Sequence, residues 1–595
     1  MTSDIGSTTE EPKLGAYAAS GSHEVVSLLR RKGFVLALIL GLLNFWTTRF
    51  AVSSDGISYM EIGRKYADGD WKGAVNAYWS PLYSWILAVA RLLTGKSDRW
   101  ELTSLHLVNL VAYVIALILF EQLFTRLWSN TSATLTDAQW KCLRFCSYCL
   151  FLWAGIHMVG MGYGSADMIV LALNLAAALL LLRTHNSPED HIALAELGAV
   201  LGLSYLCKAA MLPVAIVCVA IALWSGRAKA KFATRAAALL LPLLLLCTPW
   251  VIALHAHQGA WTFGESGKLN YAWEVDGAAR ITHWQGEPGD IGTPLHPTRL
   301  IFSHPNVYEF GSPLNATYPP WYDPAYWYAG VTPHFQVGRQ LKVLSIYLRY
   351  VAALLCIMPG CLAVALVVMF SKRRGGFLRS CRSLWFLLAP SFATILLYCF
   401  VYVDTRYIAG PMLVIGLIVL GTALPLCTTQ QQLDLARITA FCVCVYFVGI
   451  GIGLGLGRQI FRPNGPASTD QQALIAAEVR SLGLKRGDRI AYVGFGINAY
   501  WALLDGVKIT AEIPVVYSRD GRLNNYMSGD YVYVNEFWNS SASTKGEIFS
   551  RLKNDGVRAV VANTIPAGTN MSGWIKLNAM EHDGHDFANI YIKLL

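Results

Sequence analysis

The stretch "SSDGISYMEIG", Ser53–Gly63, follows directly on "GFVLALILGLLNFW", an apolar run that begins at Gly33. The run has the length and composition of a membrane-crossing helix, which needs about 20 apolar residues. The chain would then re-enter water beside Asp55. That acid is either a helix-terminal charge or a group placed for chemistry, and the rest of the sequence has to decide between them.

Composition sets the class. Of 595 residues, 54% are hydrophobic and only 14% charged, against about 25% charged in a soluble domain, and mean hydropathy is +0.40. This is the profile of an integral membrane protein. The formal net charge of +10 is carried largely by loops between apolar segments, so it gives no ground for a nucleic-acid partner. All thirteen cysteines lie between Cys142 and Cys444, in or beside apolar runs, and none is placed to staple the polar parts. Cys142, Cys146 and Cys149 share a helix face, where small apolar packing is the expected role.

Eleven segments have spanning character: 33–50, 103–125, 143–160, 166–183, 193–207, 210–224, 236–255, 343–370, 384–402, 407–426 and 438–457. The pair 193–207 and 210–224 is short and broken at Lys208, as in a tight hairpin. Residues 1–32 are polar, end in "LLRRK", and lack a small-residue cleavage site, which reads as a disordered cytoplasmic tail. Basic residues cluster in alternate loops, with Arg30, Arg31 and Lys32 on the same side as Lys372, Arg373 and Arg374, and this side is cytoplasmic by the positive-inside rule.

Three large pieces then fall outside: loop 51–102, loop 256–342, and residues 458–595. Asp55, Asp167, Lys208, Asp404 and Arg406 all fall at outer ends of spans, while helix middles carry almost no charge. Charge at membrane depth is costly and usually functional. Its placement predicts a site at the outer face of residues 33–457.

In the first outer loop, 57–67 and 81–93 are expected as interfacial helices, with Glu61, Arg64 and Lys65 on the polar face of the first. Loop 256–342 is crowded with aromatic residues, suited to a membrane belt or to stacking on sugar rings. Residues 458–595 read as a small α/β domain, with strands at 489–495, 508–516, 557–563 and 589–595 and helices at 470–483 and 543–556. "GFG" at 494–496 lacks the rest of a dinucleotide fingerprint and reads as a tight turn. No Walker A, H-E-x-x-H or G-x-S-x-G sequence occurs.

Asp-Gly-x-x-Tyr (Asp55, Gly56, Tyr59), "GDW" (69–71) and "SPLYSWILA" (80–88) follow the first span in that order. With "GSADMIVLAL" (164–173), "GLSYLCKAAMLP" (202–213), "PWVIAL" (249–254) and "DTRYIAGPML" (404–413), residues 33–457 resemble the glycosyltransferase C superfamily. The likeness is to its branch of protein O-mannosyltransferases and aminoarabinose–lipid A transferases. The resemblance implies a helical membrane enzyme that moves a sugar, with inversion, from a polyprenyl-phosphate carrier to a glycan, lipid or protein acceptor outside the membrane.

Carried onto this chain, it implies Asp55 as general base or acceptor-orienting acid and Asp167 as a second catalytic acid. Lys208 and Arg406 would hold the lipid phosphate, with Tyr59 and Tyr407 lining the substrate. No cofactor is implied with certainty, though the two acids admit a divalent metal. The chain departs from the aminoarabinose branch at Trp79-Ser80-Pro81 and at the Asp55-Gly56 pair, which leaves sugar and acceptor open. A bacterial inner membrane is the expected location.

Two other functions compete. A lipid or solute transporter would carry charges near the bilayer midplane and paired interrupted helices. A non-catalytic scaffold presenting the α/β domain would not need eleven spans.

Overall fold

The computed structural model describes residues 32–132, 135–225, 232–276, 298–323, 332–358, 360–442, 469–518, 528–582 and 587–595, with a few isolated positions between them. Most of the expected segment 438–457, and Trp284, Trp327 and Tyr328 of the aromatic loop, lie outside the described residues.

The chain is a helical membrane bundle joined to a mixed α/β sheet. Among the described residues six helices are long and apolar enough to cross a membrane: Asp98–Trp128, Asp137–Val159, Asp167–Asn186, Phe232–Gln258, Val337–Ile357 and Thr405–Leu426. A seventh is reached if Arg374–Ser383 and Trp385–Cys399, bent by 81°, make one span. Lys32–Thr48, His191–Cys207 and Met211–Trp224 are apolar but shorter. The expected span 343–370 is divided at Met358–Gly360 into Val337–Ile357 and Cys361–Met369.

Helix Thr405–Ala423 is buried along almost its whole length and forms the centre of the bundle. Phe232–Gln258 turns Leu241, Leu244, Leu245 and Ile252 outward, an apolar exterior suited to lipid.

The helices of loop 51–102, Ser54–Ala67 and Pro81–Leu93, pack against each other: Ser84 Oγ donates to Tyr59 O, 3.3 Å away. Pro81 occupies the first helical turn, where its missing N–H costs nothing. One expectation fails here. Arg64 does not face lipid headgroups; it is buried, and it donates to Glu101 and to the carbonyl of Leu503 in the C-terminal domain. That domain covers the helix face which the local sequence pattern suggested was exposed.

The main sheet has seven strands in the order β1-β2-β4-β3-β7-β9-β8. They are β1 (Arg299–Phe302), β2 (Val307–Glu309), β3 (Arg489–Gly494), β4 (Lys508–Pro514), β7 (Val557–Ala562), β8 (Ile575–His582) and β9 (Phe587–Leu594); β5 (Val516–Ser518) and β6 (Ser528–Asp530) form a separate ribbon. The three central strands β4, β3 and β7 are parallel, and read as near-continuous Val, Ile and Ala because both faces are covered. β1 and β2 come from loop 256–342 and add to the β4 edge. Two far-apart pieces of chain therefore build one sheet.

Candidate active site

Four backbone segments meet at one end of the bundle. The first is the start of helix Ser54–Ala67. Ser53 caps it, its Oγ accepting from Gly56 N at 3.1 Å, and Asp55 sits in the first turn, where the helix dipole favours an anion. A helix-terminal position and a functional one therefore coexist for Asp55.

The second segment is the turn 160–166. Helix Asp137–Leu152 continues through a π-helical stretch, Trp153–Val159, and the chain then turns sharply at Gly160. Gly164 has φ of +59°, and a Cβ there would fall 2.5 Å from Leu105 Cδ2, so only glycine lets this turn lie against the start of the Asp55 helix. Asp167 opens the next helix but does not cap it; the N-cap is Ala166, with no side-chain bond. The Asp167 carboxylate instead accepts from Ser165 Oγ at 2.8 Å and from Lys208 Nζ at 2.7 Å.

The third segment is the hairpin break. Lys208 is extended between His191–Cys207 and Met211–Ser225. It does not reach out to solvent. Its Nζ lies 3.3 Å from the centre of the Tyr407 ring, a cation–π contact, and 5.8 Å from that of Tyr398.

The fourth segment begins the central helix, where Asp404 caps Thr405–Ala423 by accepting from Arg406 N. The Arg406 guanidinium is the hub. Nη2 donates to Asp55 Oδ2 at 2.9 Å, Nε donates to Asp404 Oδ2 at 3.1 Å, and Nη1 lies 3.4 Å from Asp167 Oδ2. Its carbon stands 4.9 Å from the Tyr163 ring centre and 5.2 Å from that of Tyr407. Nη1 is buried with no hydrogen-bond partner.

The seven residues singled out from sequence, Asp404 included, thus lie in or beside one cluster. Tyr59 is its wall rather than its centre: buried, it packs on Trp79 at 4.5 Å and edge-on to Tyr83 at 4.9 Å. Burial first, then the charges of Asp167 and Asp55, hold its phenol well above the ordinary tyrosine range, so it stays a neutral hydroxyl. Trp79 continues into a group of rings with Tyr78, Trp321 and Tyr322. These aromatics from loops 51–102 and 256–342 pack on one another, whereas Trp261 is exposed and stacks on His255.

Sequence reasoning missed Tyr163, Ser165 and Tyr398. Ser165 is visible only as the neighbour of Asp167. Tyr163 and Tyr398 carry no signal that separates them from other aromatic residues near a membrane face.

Three carboxylates face two cations in this cluster. Asp55 and Asp167 direct their oxygens to Arg406 and Lys208, and among the described residues no group of three or more His, Cys, Asp or Glu converges to hold a metal ion. Each of the three carboxylates is instead ion-paired with Arg406 or Lys208.

No family model and no curated protein matches the chain. Among solved structures it is similar to ArnT from Cupriavidus metallidurans bound to undecaprenyl phosphate, at 12% identity and TM-score 0.49, covering 97% of this chain and 98% of that one. The apo form of that protein gives 13% identity and TM-score 0.48, over 96% and 98%. The oligosaccharyltransferase AglB from Archaeoglobus fulgidus, in complex with an inhibitory peptide and a dolichol-phosphate, gives 12% identity and TM-score 0.40, over 92% and 70%.

Proposed function

We propose that the chain is an inverting membrane glycosyltransferase that takes a sugar from a polyprenyl-phosphate donor and passes it to an acceptor hydroxyl on the outer face. The observation that carries this reading is the contact between Asp55 and Arg406, an acid and a cation 351 residues apart, with Lys208 beside them. The order of motifs from Asp55 to Arg406 supports it independently.

The chemistry follows from the charge count. Three carboxylates already outnumber two cations, so a phosphate diester gains Arg406 only by taking over one of its present contacts. Asp55 is the contact to give up, because Asp404 is tied to the helix cap and Asp167 to Lys208. Released from Nη2, Asp55 can accept the acceptor's hydroxyl proton. The acceptor oxygen bonds to the anomeric carbon from the face opposite the phosphate, the bond from that carbon to the phosphate oxygen breaks, and its electron pair stays on the phosphate. Lys208 and Arg406 stabilise that growing charge where water is scarce. Neither cation needs to move far.

In this reading the N-terminus is cytoplasmic, eleven segments cross a bacterial inner membrane, and the site and α/β domain lie outside. Residues 1–32 are the tail, 33–457 the catalytic unit and 458–595 the outer domain.

The test uses full-length protein in lipid nanodiscs with a panel of radiolabelled polyprenyl-phosphate sugars and a membrane extract as acceptor source. Asp55→Asn should lower transfer roughly 10²–10⁴-fold, the contribution of a general base, while donor binding is kept or tightened because Arg406 is freed. Undiminished transfer in Asp55→Asn removes Asp55 as the base. Absence of donor binding to the unmodified protein would end the enzyme reading.

A further inference from the structure

The C-terminal sheet carries a cavity that the proposed transfer reaction does not use. β3 leads through helix Tyr500–Asp505 to β4 on one side, and the chain later returns through helix Ala542–Asn554 to β7 on the other. The direction of winding reverses between β3 and β7. Parallel α/β sheets open a crevice beyond the carboxyl ends of their strands at such a point.

Here the crevice is closely built. Gly494 ends β3 at φ +121°, and a Cβ on it would fall 2.2 Å from Asn563 Oδ1 and 2.4 Å from Thr564 Oγ1. Phe495 N donates to Asn563 Oδ1 at 3.3 Å, and Trp538 Nε1 fixes the Thr564 carbonyl at 2.8 Å. Against this braced corner lies a cavity of about 690 Å³, within the size range of small-molecule sites.

Its chemistry is distinctive in one respect. Tyr531, Asn535, Asn563, Thr564, Asn589 and Tyr591 line it together with apolar groups, and among the described lining residues no side chain is charged. A nucleotide or a free phosphate calls for cations or a well-formed helix start. After β3 the chain instead makes a short 3-10 turn, Gly496–Asn498, before a six-residue helix. Amides and hydroxyls that both donate and accept, set beside phenol rings, match a sugar unit: many neutral hydroxyls and an apolar ring face.

We infer that this cavity is a binding subsite for a neutral carbohydrate, separate from the Asp55–Arg406 cluster and sharing no residue with it. It gives the α/β domain a recognition role, holding a sugar unit of a glycan at the outer face.

The experiment is saturation-transfer difference NMR on full-length protein in lipid nanodiscs prepared without glycoside detergents. Maltose, lactose, mannobiose and chitobiose are the probes, and ATP is the charged comparator. At least one disaccharide should give a saturable signal that ATP does not displace. The double variant Asn535→Ala/Asn589→Ala should weaken it roughly tenfold or more, as expected for two lost hydrogen bonds. Both asparagines are exposed, so the unfolding temperature should be unchanged; Tyr591→Ala serves as an independent second probe. The proposal is overturned if no disaccharide saturates, if binding survives both the double variant and Tyr591→Ala, or if ATP outcompetes the sugars. No donor lipid is present in this assay, so its failure leaves the transfer reading intact, and failed transfer leaves this one intact.

Discussion

Arg64 and Arg406 are both buried arginines, and each gathers acids from distant parts of the chain. Their nitrogens are treated differently. Arg64 donates from Nε to Glu101 at 2.8 Å, from Nη2 to Asp98 at 3.0 Å and Glu101 at 2.5 Å, and from Nη1 to the Leu503 carbonyl at 3.0 Å. Arg91 shares the same two acids, and Tyr500 donates to Glu101 at 2.7 Å. Two cations meet two carboxylates, and every Arg64 nitrogen is bonded. Around Arg406 three carboxylates meet two cations, and Nη1 has no hydrogen-bond partner. A guanidinium cannot shed its charge to relieve that imbalance. The Arg64 cluster ties the C-terminal domain to the bundle, and the Arg406 cluster is the one that carries an excess of acid.

The contrast can be broken by substitution. Arg64→Met should cost about 3 kcal/mol, because buried Glu101 loses one of its two cations and the Leu503 carbonyl loses its donor, while Arg91 and Tyr500 remain on Glu101. Denaturation should show that loss, while transfer per folded molecule stays near that of the unmodified protein. Arg406→Lys should do the opposite. It keeps the positive charge but cannot hold Asp55, Asp404 and a phosphate together, so transfer should fall roughly 10²–10³-fold with little change in unfolding temperature. Equal effects of both variants on transfer would erase the distinction.

Glu581 sharpens it from another side, since its Oε1 is also buried without a partner. A carboxyl, unlike a guanidinium, can become neutral. Burial pushes Glu581 up from 4.5 to about 7, partly offset by the hydrogen bond from Tyr492. The folded state therefore keeps a proton that the unfolded chain releases near pH 4.5. Its contribution to stability is fully present below pH 4.5, declines as pH rises to 7, and is level above that. The decline is about 3 kcal/mol from the size of the shift. Asp505, raised to about 7 chiefly by burial, adds to the same window. Glu581→Gln should flatten much of that slope in unfolding measured from pH 4.5 to 8.

The smallest expected effect concerns geometry alone. Gly164→Ala adds one methyl group at a positive φ against Leu105. It should move the turn bearing Ser165 and Asp167 away from Asp55 and reduce transfer about 100-fold, as misplacement near 1 Å does, with every charge still present.

Much of the site was legible in the sequence for one physical reason. Charges are so scarce in residues 33–457 that Asp55, Asp167, Lys208 and Arg406 stand out, and their common position at span ends says that they meet. The same logic could not find Tyr163 or Tyr398, because aromatic rings near a membrane face are too common to single out. In the fold, the hydrophobic central strands β3, β4 and β7 were plain. The short β2, "VYE", was hidden in a loop, since three residues carry no readable period. Arg64 was misplaced because a helix's own pattern does not reveal a domain that arrives more than 400 residues later.

That late arrival matters for how the protein is made. Tyr308 and Glu309 pair with Glu512 and Ala511, so loop 256–342 waits on the ribosome for some two hundred further residues before its β2 edge finds a mate. A chain halted after the central helix would show that edge bare, a template for sticking to its neighbours. Closure of the β2 edge therefore depends on strand Lys508–Pro514 being made and folded.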